Sequence, residues 1–375
     1  MLCTGARILL ESLKREGVDL FFGYPGGAVI DIYDELSNHP DLRHILVRHE
    51  QGAVHAADGY ARACGKVGVC LATSGPGATN TVTGIATAYS DSIPMVIFTG
   101  QVSTPLIGND AFQEVDIIGI TRPCTKHNFL VKDVKDLAET VRKAFYLARS
   151  GRPGPVLVDI PKNIQQASCE FVWPEDVVMR SYCPTFRANL NQLRRAMDVL
   201  VTSRKPLIVA GGGVIMANAA EELCTLAHLM HAPVCSTLMG LGAFPGDDPL
   251  WIGMLGMHGT FAANRAVTQA DVILAVGARF DDRVTGKLSQ FAPNARIVHI
   301  DIDPTTLRKN VRVEVPVVSD ALSALQGLRS ILESGHAQKD WAGDHADWMG
   351  QVLEWQKEHP LSWAKGDVLK PAAIG

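Results

Sequence analysis

The sequence predicts an α/β protein built from two doubly wound parallel sheets in succession. Three observations point there. Short runs rich in Val, Ile and Leu alternate with helical patterns through the first part of the chain, as in an open sheet covered by helices on both faces. Those runs show little polar alternation, as strands buried on both faces require. A second series of the same kind follows after an irregular stretch containing Pro, Cys and Trp173.

In the first unit, residues 1–168, the expected strands are Leu20–Gly23, His44–Arg48, Val67–Ala72, Met95–Thr99 and Pro155–Ile160. The expected helices are Thr4–Glu16, where Ala6, Leu9, Leu10 and Leu13 recur at helical spacing, then Val29–Ser37, Gln51–Cys64, Asn80–Ser90 and Val134–Arg149. Residues 169–188 read as a linker, because two Pro, two Cys and mixed charges break the rhythm. The second unit, 189–335, has expected strands Leu207–Ala210, Asp271–Gly277 and Arg296–Asp301, with helices Asn218–Met230 and Ala262–Gln269. From 336 to 375 the chain is Trp-rich and irregular (Trp341, Trp348, Trp355, Trp363) and reads as a helix and a connector, ending at Lys370-Pro371-Ala372-Ala373 without a closing element.

The 375 residues, 47% hydrophobic and 20% charged, suffice for two or three domains, each with its own core. A net charge of −4 and the lack of any Lys/Arg run leave no basic stripe for nucleic acid. Small or anionic metabolites must then be held by local groups. The eight Cys show no Cys-x-x-Cys and no zinc-like clustering with His. They are expected to be scattered thiols in a reducing cytoplasm, and no metal ligand is expected in the chain. The N-terminus runs straight into a helical pattern rather than a signal segment. The uncharged stretch Pro206 to Ala220 carries three Gly and an Asn, too short and too broken for a bilayer span.

The run Arg48-His49-Glu50-Gln51-Gly52-Ala53 joins a strand to a small-residue helix. Ligands of open sheets bind beyond the carboxyl ends of strands, so Glu50 stands where chemistry happens. The plainer reading is an acidic residue favouring a first helical turn, and spacing alone leaves both open. The run Thr73-Ser74-Gly75-Pro76-Gly77-Ala78-Thr79-Asn80 is again strand to helix. Its glycines let backbone approach a flat or anionic ligand, although it lacks the Gly-Lys-Ser/Thr ending of a Walker loop. Gly23-Tyr24-Pro25-Gly26-Gly27, Gly100-Gln101 and Ala111-Phe112-Gln113-Glu114 fall on the same expected sheet edge. Each alone can be a turn; their convergence on one rim is the stronger argument.

In the second unit, Gly211-Gly212-Gly213 follows a strand and precedes a helix, like a dinucleotide turn, but Met216 stands where the third Gly of the fingerprint belongs. Two later strands lead into Ala278-Arg279-Phe280-Asp281-Asp282-Arg283 and Asp301-Ile302-Asp303-Pro304. Acidic residues at such ends can hold ribose hydroxyls, and Arg279 and Arg283 can meet a pyrophosphate or carboxylate. Surface ion-pair loops remain the alternative.

Taken in order, these segments resemble one family over nearly the whole chain. The runs Gly23 to Gly27, Arg48 to Arg62, Thr73 to Asn80, Asp91 to Pro94, Thr99 to Val102, Asp110 to Glu114, Thr125 to His127, Arg152 to Lys162, Met254 to Gly259 and Gly277 to Gly286 are similar to acetohydroxyacid synthase (acetolactate synthase). Asn163 departs from the Asp usual after Pro-Lys in that family. The resemblance implies a thiamine-diphosphate pyrimidine-binding domain followed by a Rossmann-like central FAD domain. It implies decarboxylation of pyruvate and carboligation to a second pyruvate or to 2-oxobutyrate, giving 2-acetolactate or 2-aceto-2-hydroxybutyrate in valine, leucine and isoleucine biosynthesis.

By the same resemblance, Glu50 activates the coenzyme, and Tyr24, Pro25, Thr73, Pro76, Gly77, Asn80 and Gln113 line the pyrimidine pocket. Gly27, Phe112, Lys162, Met257 and Arg283 surround the substrates. FAD lies along Arg152, Gly211, Gly212, Gly213, Thr237, Leu238, Leu255, Met257, His258, Gly259, Thr260, Gly277, Arg279, Asp281, Arg283, Asp301, Ile302 and Asp320. Mg2+ and the diphosphate are held in the family by a Gly-Asp-Gly and a downstream Asn. No such pair occurs here, so the expectation is a piece that stops short of that domain and is inactive alone. Gly246-Asp247-Asp248 does not match that motif. The family also implies a homodimer or tetramer and a possible small regulatory subunit. Rival readings are a pyruvate oxidase, a 2-oxo acid decarboxylase, or a non-catalytic nucleotide-binding module.

Overall fold

In the computed structural model of the protein, residues 2–335 and 339–362 are described. The chain divides into two compact units, Met1–Cys183 and Pro184–Gly375.

The first unit runs β1 (Leu2–Thr4), α1 (Gly5–Arg15), β2 (Leu20–Gly23), α2 (Ile30–Leu36), β3 (Arg43–Leu46), α3 (Glu50–Cys64), β4 (Gly68–Ala72), α4 (Pro76–Thr79), α5 (Val82–Asp91) and β5 (Met95–Gln101). It continues with α6 (Ile117–Thr121), β6 (His127–Leu130), α7 (Leu137–Arg149), β7 (Pro155–Pro161), α8 (Lys162–Gln166) and β8 (Ser168–Glu170). Six strands form a parallel sheet in the order β3-β2-β4-β5-β7-β6. Every residue of β4, β5 and β7 is buried, which is why their sequences are largely apolar, with Thr99, Gln101 and Asp159 as polar exceptions. Helix α1 begins at Thr4, whose hydroxyl accepts the N–H of Arg7, and carries Lys14 and Arg15 in its last turn, where the helix dipole favours cations. Its apolar stripe packs with Phe21, Val141 and Phe145, and each buried Phe contributes about 2–3 kcal/mol.

Three differences from the sequence reading have physical causes. The expected helix Asn80–Ser90 is preceded by a separate short α4, and α5 begins at Val82. Strand β6 went unrecognised, because its four residues are only half-buried and carry no period. Cys169 and Glu170, read as linker, pair antiparallel with β1 through the register Leu2↔Glu170 and Cys3↔Cys169. Phe171, Trp173, Met179 and Tyr182 also pack on the first core.

The second unit runs α9 (Leu190–Val201), β9 (Pro206–Ala210), α10 (Gly212–Met216), α11 (Ala220–Met230), β10 (Val234–Ser236), β11 (Trp251–Met254), α12 (Phe261–Gln269), β12 (Val272–Val276) and α13 (Asp282–Thr285). Then come β13 (Arg296–Asp301), β14 (Val315–Val318), α14 (Ala321–Glu333) and α15 (Trp341–Glu358). Its strands form a second parallel sheet, ordered β11-β10-β9-β12-β13-β14. The helix expected in the Trp-rich stretch runs continuously from 341 to 358. Trp341, Trp348 and Trp355 recur every seven residues, so they share its buried face. The Trp348 indole N–H donates to the Pro206 carbonyl at 2.8 Å. Trp363 and Lys370–Ala373 lie outside the described residues. Among those described, no helix is long and apolar enough to cross a membrane.

Candidate functional site

Strand order locates the first site. From β2 the chain leaves for β3 on one side; from β4 it leaves for β5 on the other. The connections diverge between β2 and β4, opening a crevice beyond their carboxyl ends. Two glycine-bearing loops line it and are locked together. The Thr73 hydroxyl accepts the N–H of Ala28 at 3.1 Å. A Cβ on Gly26 would sit 2.5 Å from Thr73 Cβ, so only glycine permits that approach. Gly75 has φ +57°, and a Cβ there would lie 2.5 Å from the Gln113 carbonyl oxygen, which places the Gln113 loop on the same rim.

Glu50 is the first residue of α3 and is 8% exposed. His49 caps that helix, its Nδ1 accepting the Gln51 N–H at 3.1 Å. The small residues Ala53 and Ala57, one and two turns on, are fully buried and let the helix pack closely. Asn80 Nδ2 donates to Glu50 Oε2 at 2.9 Å. The other oxygen, Oε1, lies where a Cβ on Gly77 would come within 3.3 Å. A carboxyl group is thus held dry, one oxygen committed to an amide and the other beside a bare glycine. That arrangement can exchange a hydrogen bond, or a proton, with a ring nitrogen entering the crevice.

Tyr24, Pro25 and Pro76 are exposed at the same crevice loops, and nothing stands within 4 Å of a Cβ placed on Gly27. Lys162 Nζ donates to the Gly27 carbonyl at 3.1 Å. Phe112 projects into solvent, 87% exposed. Arg152 is elsewhere: it precedes β7, on the amino-terminal edge of the sheet, and its Nε donates to Ser92 Oγ at 2.8 Å.

One group was missed by sequence reasoning. Asp159, on β7, is 1% exposed; it accepts from Thr99 Oγ1 at 2.7 Å and from Gln101 Nε2 at 3.0 Å. The same Gln101 amide donates to the Val115 carbonyl at 2.9 Å, so Asp159 anchors, through Gln101, the loop that carries Gln113. Burial pushes its carboxyl up to about 7, with Thr99 and Gln101 opposing and Asp116 adding to the rise. The available signal was an acidic residue inside the apolar run Pro155–Ile160.

In the second unit the divergence falls between β9 and β12. The residues expected to meet FAD there follow the carboxyl ends of all six strands: Gly211, Gly212 and Gly213 after β9; Thr237 and Leu238 after β10; Leu255 to Thr260 after β11; Gly277 to Arg283 after β12; Ile302 directly after Asp301, the last residue of β13; and Asp320 after β14. The glycines also have a packing reason. A Cβ on Gly211 would lie 2.0 Å from the Gly277 carbonyl oxygen, and Gly277 itself has φ +59°. Leu238 is 70% and Met257 62% exposed, and His258 is exposed too. The Met257 N–H donates to the Arg283 carbonyl at 2.8 Å. Several acidic candidates act as caps. Asp281 accepts the N–H groups of Arg283 and Val284, Asp320 those of Leu322 and Ser323, and Asp301 that of Asp303. Thr260 caps α12. Arg279 pairs with Asp281 at 3.4 Å and Arg283 with Asp282 at 3.7 Å. The sequence promised no clustering of Cys with His, yet the structure gathers Cys224, His228 and Asp248.

Comparison with known proteins agrees with these two units. Residues 3–120 match the thiamine pyrophosphate enzyme N-terminal TPP binding domain, and residues 193–328 match the thiamine pyrophosphate enzyme central domain. The chain is 50% identical over 376 residues to the acetolactate synthase isozyme 3 large subunit of Escherichia coli, covering 99% of this chain and 65% of that protein. It is 51% identical over 356 residues to the probable acetolactate synthase large subunit of Methanocaldococcus jannaschii, covering 94% and 59%. It is 49% identical over 373 residues to the acetolactate synthase large subunit of Corynebacterium glutamicum, covering 99% and 59%. The chain therefore spans no more than 65% of the length of these relatives.

Proposed function

Because this chain belongs to the acetolactate synthase large-subunit family of thiamine pyrophosphate enzymes, we propose that it supplies the pyrimidine-binding and flavin-binding parts of an acetolactate synthase. The substrates are pyruvate and a second 2-oxo acid, pyruvate or 2-oxobutyrate.

Thiamine diphosphate, when bound, supplies the electron sink that 2-oxo acid decarboxylation needs. This chain's residues hold and orient. Glu50 presents its carboxyl to the pyrimidine ring nitrogen, steadied by the Asn80 amide. Thr73, Gly75 and Gly77 leave room for a flat ring, and Gln113 closes the rim from the loop that Asp159 anchors through Gln101. Tyr24, Pro25 and Pro76 complete that lining. In the first unit Gly27, Phe112 and Lys162 are assigned to substrate binding; in the second, Met257 and Arg283 carry the same assignment. The Arg283 guanidinium suits the carboxylate of the second 2-oxo acid.

FAD is assigned to the carboxyl-end rim of the second sheet. The side-chain-free turn at Gly211–Gly213 and the exposed apolar Leu238 and Met257 suit a flat ring system on a phosphate-bearing chain. Mg2+ is assigned to no residue of this sequence. Assembly of catalytic chains as dimers or tetramers, a small regulatory partner and a reducing cytoplasm belong to the same reading; none of the eight cysteines forms a disulfide.

The observation that carries the proposal is Glu50, buried beside Gly77 at the divergence of β2 and β4. Product analysis with pyruvate, on the protein that contains this chain, tests it. Acetolactate is expected; acetaldehyde or acetyl phosphate would move it to a decarboxylase or an oxidase, and no product at all to a binding module.

A further inference from the structure

Helix α11 and the loop before β11 bring together a thiol, an imidazole and a carboxylate that the proposed catalysis does not use. Cys224 and His228 stand four residues apart on α11 and so share one face. Asp248 comes from the loop that feeds β11. One donor atom from each of the three lies within 4.8 Å of the other two. His228 Nε2 is 2.7 Å from Asp248 Oδ2. The second oxygen, Oδ1, accepts the Leu250 N–H at 2.9 Å, so the carboxylate is pinned with Oδ2 turned toward the imidazole. The Asp248 side chain is 13% exposed and that of His228 51%.

Topology separates this cluster from the proposed cofactor rim. Helix α11 runs back from the carboxyl end of β9 toward the start of β10, and Asp248 immediately precedes β11. The Val234 N–H donates to the Leu250 carbonyl at 2.7 Å, joining the two strand starts. The cluster therefore lies at the amino-terminal edge of the sheet, opposite Gly211 and Gly277.

We infer that Cys224, His228 and Asp248 form a binding site for a divalent transition metal, with zinc the best match. A thiolate with an imidazole selects zinc over magnesium or calcium, which prefer oxygen donors alone. Zinc bonds of about 2.3 Å to sulfur and about 2.1 Å to nitrogen or oxygen set tetrahedral donors roughly 3.4–3.6 Å apart. The three donors are already inside 4.8 Å, and the His228–Asp248 pair must open from 2.7 Å by about 0.7 Å. Three protein ligands and an exposed imidazole side leave the fourth position to water. Binding displaces the thiol proton of Cys224, and that of His228 where its ring is protonated, to solvent. The metal fastens the loop that follows β10 to α11. The simpler account is a His–Asp ion pair beside an unrelated thiol, and a metal–thiolate bond separates the two.

The experiment uses the tag-free chain, stripped of metal with EDTA and titrated with Co2+ under reducing conditions. One equivalent is expected to give a thiolate-to-cobalt charge-transfer band and the strong visible bands of tetrahedral cobalt, both abolished by equimolar Zn2+. Cys224→Ser is expected to remove the charge-transfer band. Asp248→Asn keeps an oxygen for the Leu250 N–H and is expected to weaken Co2+ and Zn2+ binding by about tenfold or more, the scale known even for supporting groups around a metal. Cys64→Ser and Cys183→Ser, at the two exposed thiols, are expected to leave the spectrum unchanged. No charge-transfer band at stoichiometric cobalt, or a band that survives Cys224→Ser, overturns the site. Neither outcome bears on the thiamine reading, since no residue is shared.

Discussion

Asn80 reaches across thirty residues of sequence to place its amide nitrogen 2.9 Å from Glu50 Oε2. The bond joins the start of α3 to the residue that closes α4, two helices that follow different strands. It fixes the carboxyl plane before any ligand arrives.

Glu50→Gln keeps the size of the side chain and a carbonyl oxygen for Asn80, but removes the proton-exchanging group. Acetolactate formation by the protein containing this chain is expected to fall by roughly two or more orders of magnitude, the scale of one lost acid/base role. The thermal midpoint should stay within a few degrees. Near-normal turnover would reassign Glu50 to structure.

Gly77→Ala puts a methyl 2.6 Å from Thr73 Cγ2 and 3.3 Å from Glu50 Oε1. Overpacking of this kind costs about 1–3 kcal/mol. Thiamine diphosphate is expected to bind more weakly, read as a raised half-saturation in a coenzyme titration. A variant with unchanged half-saturation would remove Gly77 from the pocket.

Asp159 makes the first unit sensitive to pH. Its folded-state value, about 7, stands above the 3.8 of an unfolded chain. Between those values the folded form holds a proton that the unfolded form has lost, so its contribution to stability is greatest at low pH. It declines as pH rises toward 7 and is gone above it. Asp159→Asn removes the titration. From pH 5 to pH 8 the wild-type urea midpoint is expected to drop relative to the variant. Parallel changes in both proteins would show that another group is responsible.

Trp348→Phe keeps most of the buried ring but strands the Pro206 carbonyl, which should cost about 1–3 kcal/mol. Trp348→Ala should cost about 3–5 kcal/mol through cavity formation. Urea midpoints of the two variants, read by circular dichroism, check this order. Equal effects would mean that the indole hydrogen bond contributes nothing beyond packing.

The central strands were legible because burial on both faces writes itself as composition: the expected Val67–Ala72, Met95–Thr99 and Pro155–Ile160 lie within a residue or two of the observed β4, β5 and β7. Strands β1, β8, β10 and β11 were not; each has three or four residues and shows no period. Helix α15 was expected in the Trp-rich stretch but without bounds, because Trp spacing of seven looks sparse until the other faces are known to be wet. The loops of the first rim could be named in sequence, but not the bonds between them. That Thr73 meets Ala28, or that Gly75 admits Gln113, depends on strand order, which no local pattern records. Asp159 and the Cys224–His228 pair were overlooked for another reason. The first lay inside Pro155–Ile160, read only as a strand, and the second uses a helical spacing, not Cys-x-x-Cys.

The meeting of Gly211 with Gly277 has a consequence for how the second unit can change. A single methyl on the first turn would collide with the carbonyl of the other. Neither turn can drift alone, so the two must vary as a pair or stay as they are. The cradle is already shaped when an occupant arrives, and little ordering entropy remains to be lost at that moment.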